Sequence, residues 1–132
     1  MNSREKGKRG ERAAAAALKE LGLWAQRGVQ HAGGEDSPDI KTAITGAHFE
    51  VKRVEKGNVH QWMAQAIADA GAKVPVVMHR KNRTEWLLTV RLSDVERFAT
   101  EITSAFAEVG NKEVPDPLPC QSVRPDEKAS RR

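Results

Sequence analysis

Three residues carry the chemistry this chain could do: Asp39, Glu50 and Lys52. They flank Thr45-Gly46, between two runs, Asp39 to Ile44 and Ala47 to Val54, that read as strands joined by a tight hairpin. A two-residue loop pairs Ile44 with Ala47, which places Asp39 opposite Lys52 and Lys41 opposite Glu50. Paired residues share a face, as do residues two apart on one strand, so Asp39, Glu50 and Lys52 converge with neighbouring Cβ atoms roughly 5 Å apart, while Val51 points the other way into the core. Two carboxylates that close repel unless one is protonated or a cation lies between them. Oxygen-only ligands suit a hard ion, above all Mg²⁺, with Mn²⁺ expected to substitute. Such an ion neutralises phosphate charge and acidifies a bound water, and a lysine beside it can orient that water or stabilise charge developing on the phosphate. The set suits in-line hydrolysis of a phosphodiester. The plainer alternative is a surface salt-bridge ladder, in which Lys52 only neutralises the two acids.

The elements that must position these residues follow from local pattern. Ser3 to Leu21, with an alanine run from Ala13 to Ala17, predicts a helix stopped by Gly22. Glu11, Ala14, Ala15 and Leu18 fall at i, i+3, i+4 and i+7, so Glu11 lies on or beside the inward stripe, as either a solvated edge residue or a functional acid. Leu23 to Val29 reads as a short strand, and His31 to Ser37, with Gly33-Gly34, as a loop. Asn58 caps a predicted helix that ends at Gly71 and buries Val59, Met63, Ile67 and Ala70. Val74 to Met78 is an apolar run suited to a strand buried on both faces. A basic turn, His79 to Arg83, leads to a strand at Glu85 to Arg91. Ser93 and Glu96 have capping-box spacing before a helix with Val95, Phe98, Ala99, Ile102 and Phe106 inward. The order α-β-β-β-α-β-β-α predicts an α/β fold, a mixed central β-sheet flanked by helices. One domain is expected over residues 1–109, followed by an extended or disordered tail over 110–132 in which Pro115, Pro117, Pro119 and Pro125 sit among charges.

Composition narrows the function classes. The chain has 132 residues, and 22 lysines and arginines against 18 acids give a net charge of +4, a balance that favours a polyanionic partner such as nucleic acid. Cys120 is the single cysteine, which excludes an intrachain disulfide framework and a thiolate zinc cluster and suits a reducing cytoplasm. Neither a secretory signal over Met1 to Arg12 nor a membrane-length apolar run is expected, so the protein is read as cytoplasmic, in a prokaryote or, for a virus, in its host. Basic clusters in the first helix (Lys8, Arg9, Arg12), at Arg53 and Lys56, and in the turn with Arg80, Lys81 and Arg83 form a candidate DNA-binding face. Trp62 either packs at an edge or stacks on a base. The four histidines lack zinc-ligand spacing.

Pro38-Asp39 followed by Glu50-Val51-Lys52 resembles the signature of the PD-(D/E)xK nucleases. With Lys6-Gly7-Lys8-Arg9-Gly10-Glu11-Arg12, Leu21-Gly22-Leu23, Arg27 and a glycine-rich loop ahead of the aspartate, the chain from about Lys6 to Phe98 is similar to the archaeal-type Holliday junction resolvases. The resemblance implies a restriction-endonuclease-like core and metal-dependent endonuclease activity on four-way junctions by a homodimer. By position it implies that Glu11 binds metal or water, that Asp39 and Glu50 are ligands with the Val51 carbonyl completing the shell, that Lys52 is catalytic and that Arg27 contacts the DNA backbone. The loop from Gly28 to Pro38 is longer and more acidic than in that group, which leaves the family's serine or histidine role unassigned, with His31 and Ser37 as the candidates. Three rivals stand beside this reading: a repair or restriction-type endonuclease of the same superfamily, an inactive DNA-binding protein of the same fold, and a small interaction domain that carries the motif by chance.

Overall fold

The computed structural model describes residues 3–28 and 39–113. Their elements run α1 (Ser3–Glu20), β1 (Ala25–Arg27), β2 (Ile40–Thr42), β3 (Ala47–Arg53), α2 (Val59–Ala70), β4 (Val74–Arg80), β5 (Leu87–Thr89) and α3 (Val95–Glu113), the last entered through a 3-10 turn at Leu92–Asp94. This is the predicted order. The strands form one mixed sheet in the order β1-β2-β3-β4-β5, antiparallel except for the parallel pair β3 and β4. A parallel pair needs a crossover, and α2 supplies it.

The two faces of the sheet are covered by different helices. On one, Ala14, Ala15 and Leu18 of α1 and Phe98 and Ala105 of α3 pack with Ile40, Phe49, Val51, Val76 and Met78. On the other, Met63 and Ala66 of α2 pack on Val77, with Trp62 at the margin. Val74 to Met78 are buried throughout, as expected for a central strand covered on both sides.

Helix ends follow the sequence more closely than helix faces do. The Asn58 side chain accepts from the backbone N–H groups of His60 and Gln61, at 2.8 and 3.3 Å, and Gly71, with φ of 61°, closes α2. The buried side of α2 is Met63, Ala66 and Ala70, rotated from the predicted stripe, and Ile67 is exposed. In α3, Phe98 and Ala105 are buried and Ile102 half-buried, whereas Val95, Ala99 and Phe106 are exposed. A broad apolar stripe offers several faces, and the helix turns toward the sheet the one that fits. At the start of α3 the buried polar residue is Asp94, accepting from Arg91 Nε at 2.8 Å, while Ser93 is exposed. β4 takes in His79 and Arg80 from the predicted basic turn, and α3 runs on past Gly110 to Glu113.

The hairpin departs from its predicted register. The turn closes as expected, Ala47 N–H donating to the Ile44 carbonyl at 3.1 Å, but further along Ile40 pairs with Phe49. The two arms therefore differ by two residues: Ile40 to Ile44 is four steps and Ala47 to Phe49 is two. The excess lies at Thr42 to Ile44, where Thr42 Oγ1 accepts the Ile44 N–H at 3.0 Å and turns the chain out of the ladder. Asp39 consequently does not lie opposite Lys52, nor Lys41 opposite Glu50.

Candidate active site

Because β2 begins at Ile40, opposite Phe49, the last residues of β3 extend beyond it, and among the described residues no strand pairs with that part of the β2-side edge. Asp39 lies at that edge. Its backbone is held on both sides: its N–H donates to the Phe49 carbonyl at 3.1 Å, and its carbonyl accepts from Gly28 N–H at 2.9 Å. Its Oδ2 accepts the Val51 N–H at 2.8 Å, the bond that the carbonyl of a neighbouring strand makes inside a sheet. In a strand the N–H and C=O of one residue point to the same side, so the Val51 carbonyl also faces this side.

Glu50 projects to the opposite side of β3 from Phe49 and Val51 and is 5% exposed. Lys52 follows it on the same face, with Nζ 3.9 Å from Glu50 Oε2. Glu11, from α1, is half-buried and accepts from Arg27 Nε at 2.9 Å. Electrostatics tie the acids together. Burial pushes the Glu50 carboxyl up to about 7, and the neighbouring Asp39 charge adds to this while Lys52 opposes it. Glu11 is raised as well, first by burial and then by Asp39, against the lowering effect of Arg27. Asp39 is thus the electrostatic centre of a three-carboxylate group, and the two acids around it hold their protons more tightly than free glutamates do. A bound cation offsets both the burial and the repulsion by stabilising the charged forms, so these residues fit a hard divalent ion.

Two further residues join Glu50 that sequence reasoning missed. His48 Nε2 lies 4.0 Å from Glu50 Oε1, and His48 is 2% exposed. Asp69, from α2, completes a set in which His48, Glu50 and Asp69 bring ligand atoms within 4.8 Å of one another. His48 was detectable in principle, since His48, Glu50 and Lys52 alternate at the period of a strand face. Asp69 had no such signal, because it arrives only through the packing of α2. Glu50 therefore belongs to a donor set that includes an imidazole and also feels the charges of Asp39 and Glu11.

The structure brings together Glu11, Asp39, Glu50, Val51, Lys52 and, through its ion pair, Arg27. Arg53 ends β3 half-buried beside Gly10 of α1, whose position would bring an added Cβ to 3.3 Å from the Arg53 Cβ. Its neighbour in register, Arg80, stacks its guanidinium 5.3 Å over the Trp86 ring. Arg9, Arg12, Lys56, Lys81 and Arg83 are exposed and Lys8 half-buried. They spread over α1 and the loops that follow β3 and β4. His31 and Ser37 lie outside the described residues. Among those described, no helix is long and apolar enough to cross a membrane.

A family model described as "Phage putative PDDEXK endonuclease" matches residues 2–116. No curated protein and no solved structure matches the chain.

Proposed function

The chain belongs to this family of phage PDDEXK endonucleases, and from that premise we propose that it hydrolyses DNA phosphodiesters with Mg²⁺ or Mn²⁺ held by Asp39, Glu50 and the Val51 carbonyl, with Glu11 beside them. The observation that carries this reading is Asp39 seated at the edge of β3 by the Val51 N–H, next to a buried Glu50 whose proton affinity it raises. When bound, the ion supplies neutralisation of the phosphate and acidifies a coordinated water. Lys52 orients the attacking water and stabilises charge on the phosphate as the new P–O bond forms and the in-line P–O bond to the leaving oxygen breaks. Glu11 positions water at the rim of the site, and Arg27 holds the Glu11 carboxylate in place.

The substrate proposed is branched DNA, the four-way junction first among branched forms, cut by a homodimer in the cytoplasm of the host. What supports branch selectivity is the spread of cations over several elements, with no helix among the described residues set to read a major groove. What supports a second copy is the edge strand β5, whose Leu87 and Leu88 are 56% and 43% exposed, with Leu92 at 89% nearby. The deciding experiment incubates the chain and Mg²⁺ with labelled four-way junction, duplex and single-stranded DNA. Paired nicks in the junction support the full reading. Equal cutting of duplex reduces it to a general endonuclease, and no cutting with either ion removes it. Light scattering decides the dimer.

A further inference from the structure

The catalytic face of β3 does not end at Lys52. In the parallel register Lys52 lies beside His79 of β4, and the His79 ring lies 5.5 Å from the Trp62 ring of α2, tilted by 56°. Trp62 and His79 line a groove that opens at the C-terminal ends of β3 and β4, floored by Gly57 and walled by Lys56 and Lys81. Both lysines are exposed, while the acid on this rim, Glu55, is engaged through Oε2 by the Asn82 N–H. Gly57 is required for the shape: a Cβ there would strike the six-membered ring of Trp62, and its φ of 157° disfavours a side chain as well. The indole is thus set against the chain where no other residue could stand, half-buried at the edge of the small α2 core.

We propose that this groove is a subsite for an unpaired nucleotide of the DNA strand next to the scissile phosphate, its base stacked on Trp62 and its phosphate between Lys56 and Lys81. The charge of the rim selects a polyanion, and the aromatic wall selects a planar ring rather than a bare phosphate. A base inside a duplex is stacked on both sides and cannot offer a face to a ring set in a groove. The occupant is therefore a base at a fork, flap, junction crossover or strand end. The inference rests on the nuclease reading of the adjoining site, since Lys52 is what places the scissile phosphate beside the groove.

The test measures binding by the full chain in EDTA, where no cleavage is expected. The probes are a forked duplex with an unpaired arm and a blunt duplex of the same sequence, with 2-aminopurine placed in the arm beside the fork. Trp62→Leu keeps apolar packing and removes the stacking face, Trp62→Phe keeps a ring, and a melting curve confirms that each is folded. The parent is expected to prefer the fork and quench the 2-aminopurine. Trp62→Leu should lose roughly tenfold in affinity for the fork and little for the blunt duplex, with the quench abolished, and Trp62→Phe should restore most of both. Quenching that persists in Trp62→Leu, or an equal effect on fork and duplex, overturns the subsite. A chain that cuts DNA with Mg²⁺ yet shows no preference for the fork loses the subsite and keeps the nuclease reading. A chain that binds the fork through Trp62 but cuts nothing loses the nuclease reading and keeps the subsite.

Discussion

β3 is one strand with two faces, and nearly everything about the molecule can be divided between them. Ala47, Phe49 and Val51, 8%, 1% and 9% exposed, press against the core under α1 and α3. His48 and Glu50, 2% and 5% exposed, are as deeply covered on the other face. Burial of the first set stabilises the fold, at about 25 cal/mol per Å² of apolar surface. Burial of the second works against it, because a carboxyl taken out of water holds its proton or requires a cation. Equal burial with opposite sign is the mark of a site: the odd-numbered residues hold the strand in place so that the even-numbered ones can be held where they are least comfortable.

Substitutions on the two faces should separate activity from stability. The largest effect belongs to the chemical side. Asp39→Asn or Glu50→Gln removes a charged ligand with almost no change in volume, and DNA cleavage with Mg²⁺ should fall by about 1000-fold or more while the circular dichroism spectrum is unchanged. Near-parental cleavage by either variant would show that the metal site has been placed wrongly. On the apolar face, Phe49→Ala should cost about 3–5 kcal/mol of stability, seen as a shifted denaturation midpoint, because it empties the centre of the α1 core. Its residual folded fraction should still bind the ion. Lys52→Met comes next, lowering kcat by about 100-fold with ion affinity little changed, as expected for a group that acts on the phosphate rather than on the metal. Equal losses in kcat and in ion affinity would make Lys52 a partner of Glu50 alone.

The same division explains what could be read before the structure. Element order, the cap at Asn58, the stop at Gly71 and the grouping of Asp39, Glu50 and Lys52 follow from rules that act over a few residues, such as the period of two along a strand. The β2–β3 register was not legible, because it depends on Thr42 closing onto the Ile44 N–H, a choice that alternation does not encode. The acids nevertheless meet, although by a different route: Asp39 reaches the site by capping the Val51 N–H instead of by facing Lys52. Glu11 was visible as an acid on an inward stripe, and Arg27 is bound to it by an ion pair that alternation along the chain does not encode. Asp69 was invisible, since only the docking of α2 brings it to Glu50. The buried sides of α2 and α3 were not legible for a similar reason: each helix has more apolar surface than the sheet covers.

The smallest effect is also the one that compares the two faces most directly, through pH. An unfolded glutamate ionises near 4.5, whereas in the ion-free folded chain burial and Asp39 push Glu50 up to about 7. Between those values the folded chain keeps a proton that the unfolded chain has lost. Its stability should therefore fall as pH rises through this interval and level off above about 7, and the raised Glu11 carboxyl adds to the fall with the same sign. Divalent-ion affinity should run the other way, rising toward pH 7 as the ligand deprotonates, with protons released on binding below that point. Glu50→Gln carries no proton to lose, so in EDTA its melting temperature should gain on the parent's as pH is raised from 5 to 8, leaving an inactive protein that is the more stable of the two at pH 8. Phe49→Ala, on the other face, should lower the melting temperature by a similar amount at every pH. Melting curves of the three proteins from pH 5 to 8, with and without Mg²⁺, measure both. A difference between parent and Glu50→Gln that stays constant across that range would mean that Glu50 is ionised throughout, and the reading of β3 as a strand with a costly face would fail there.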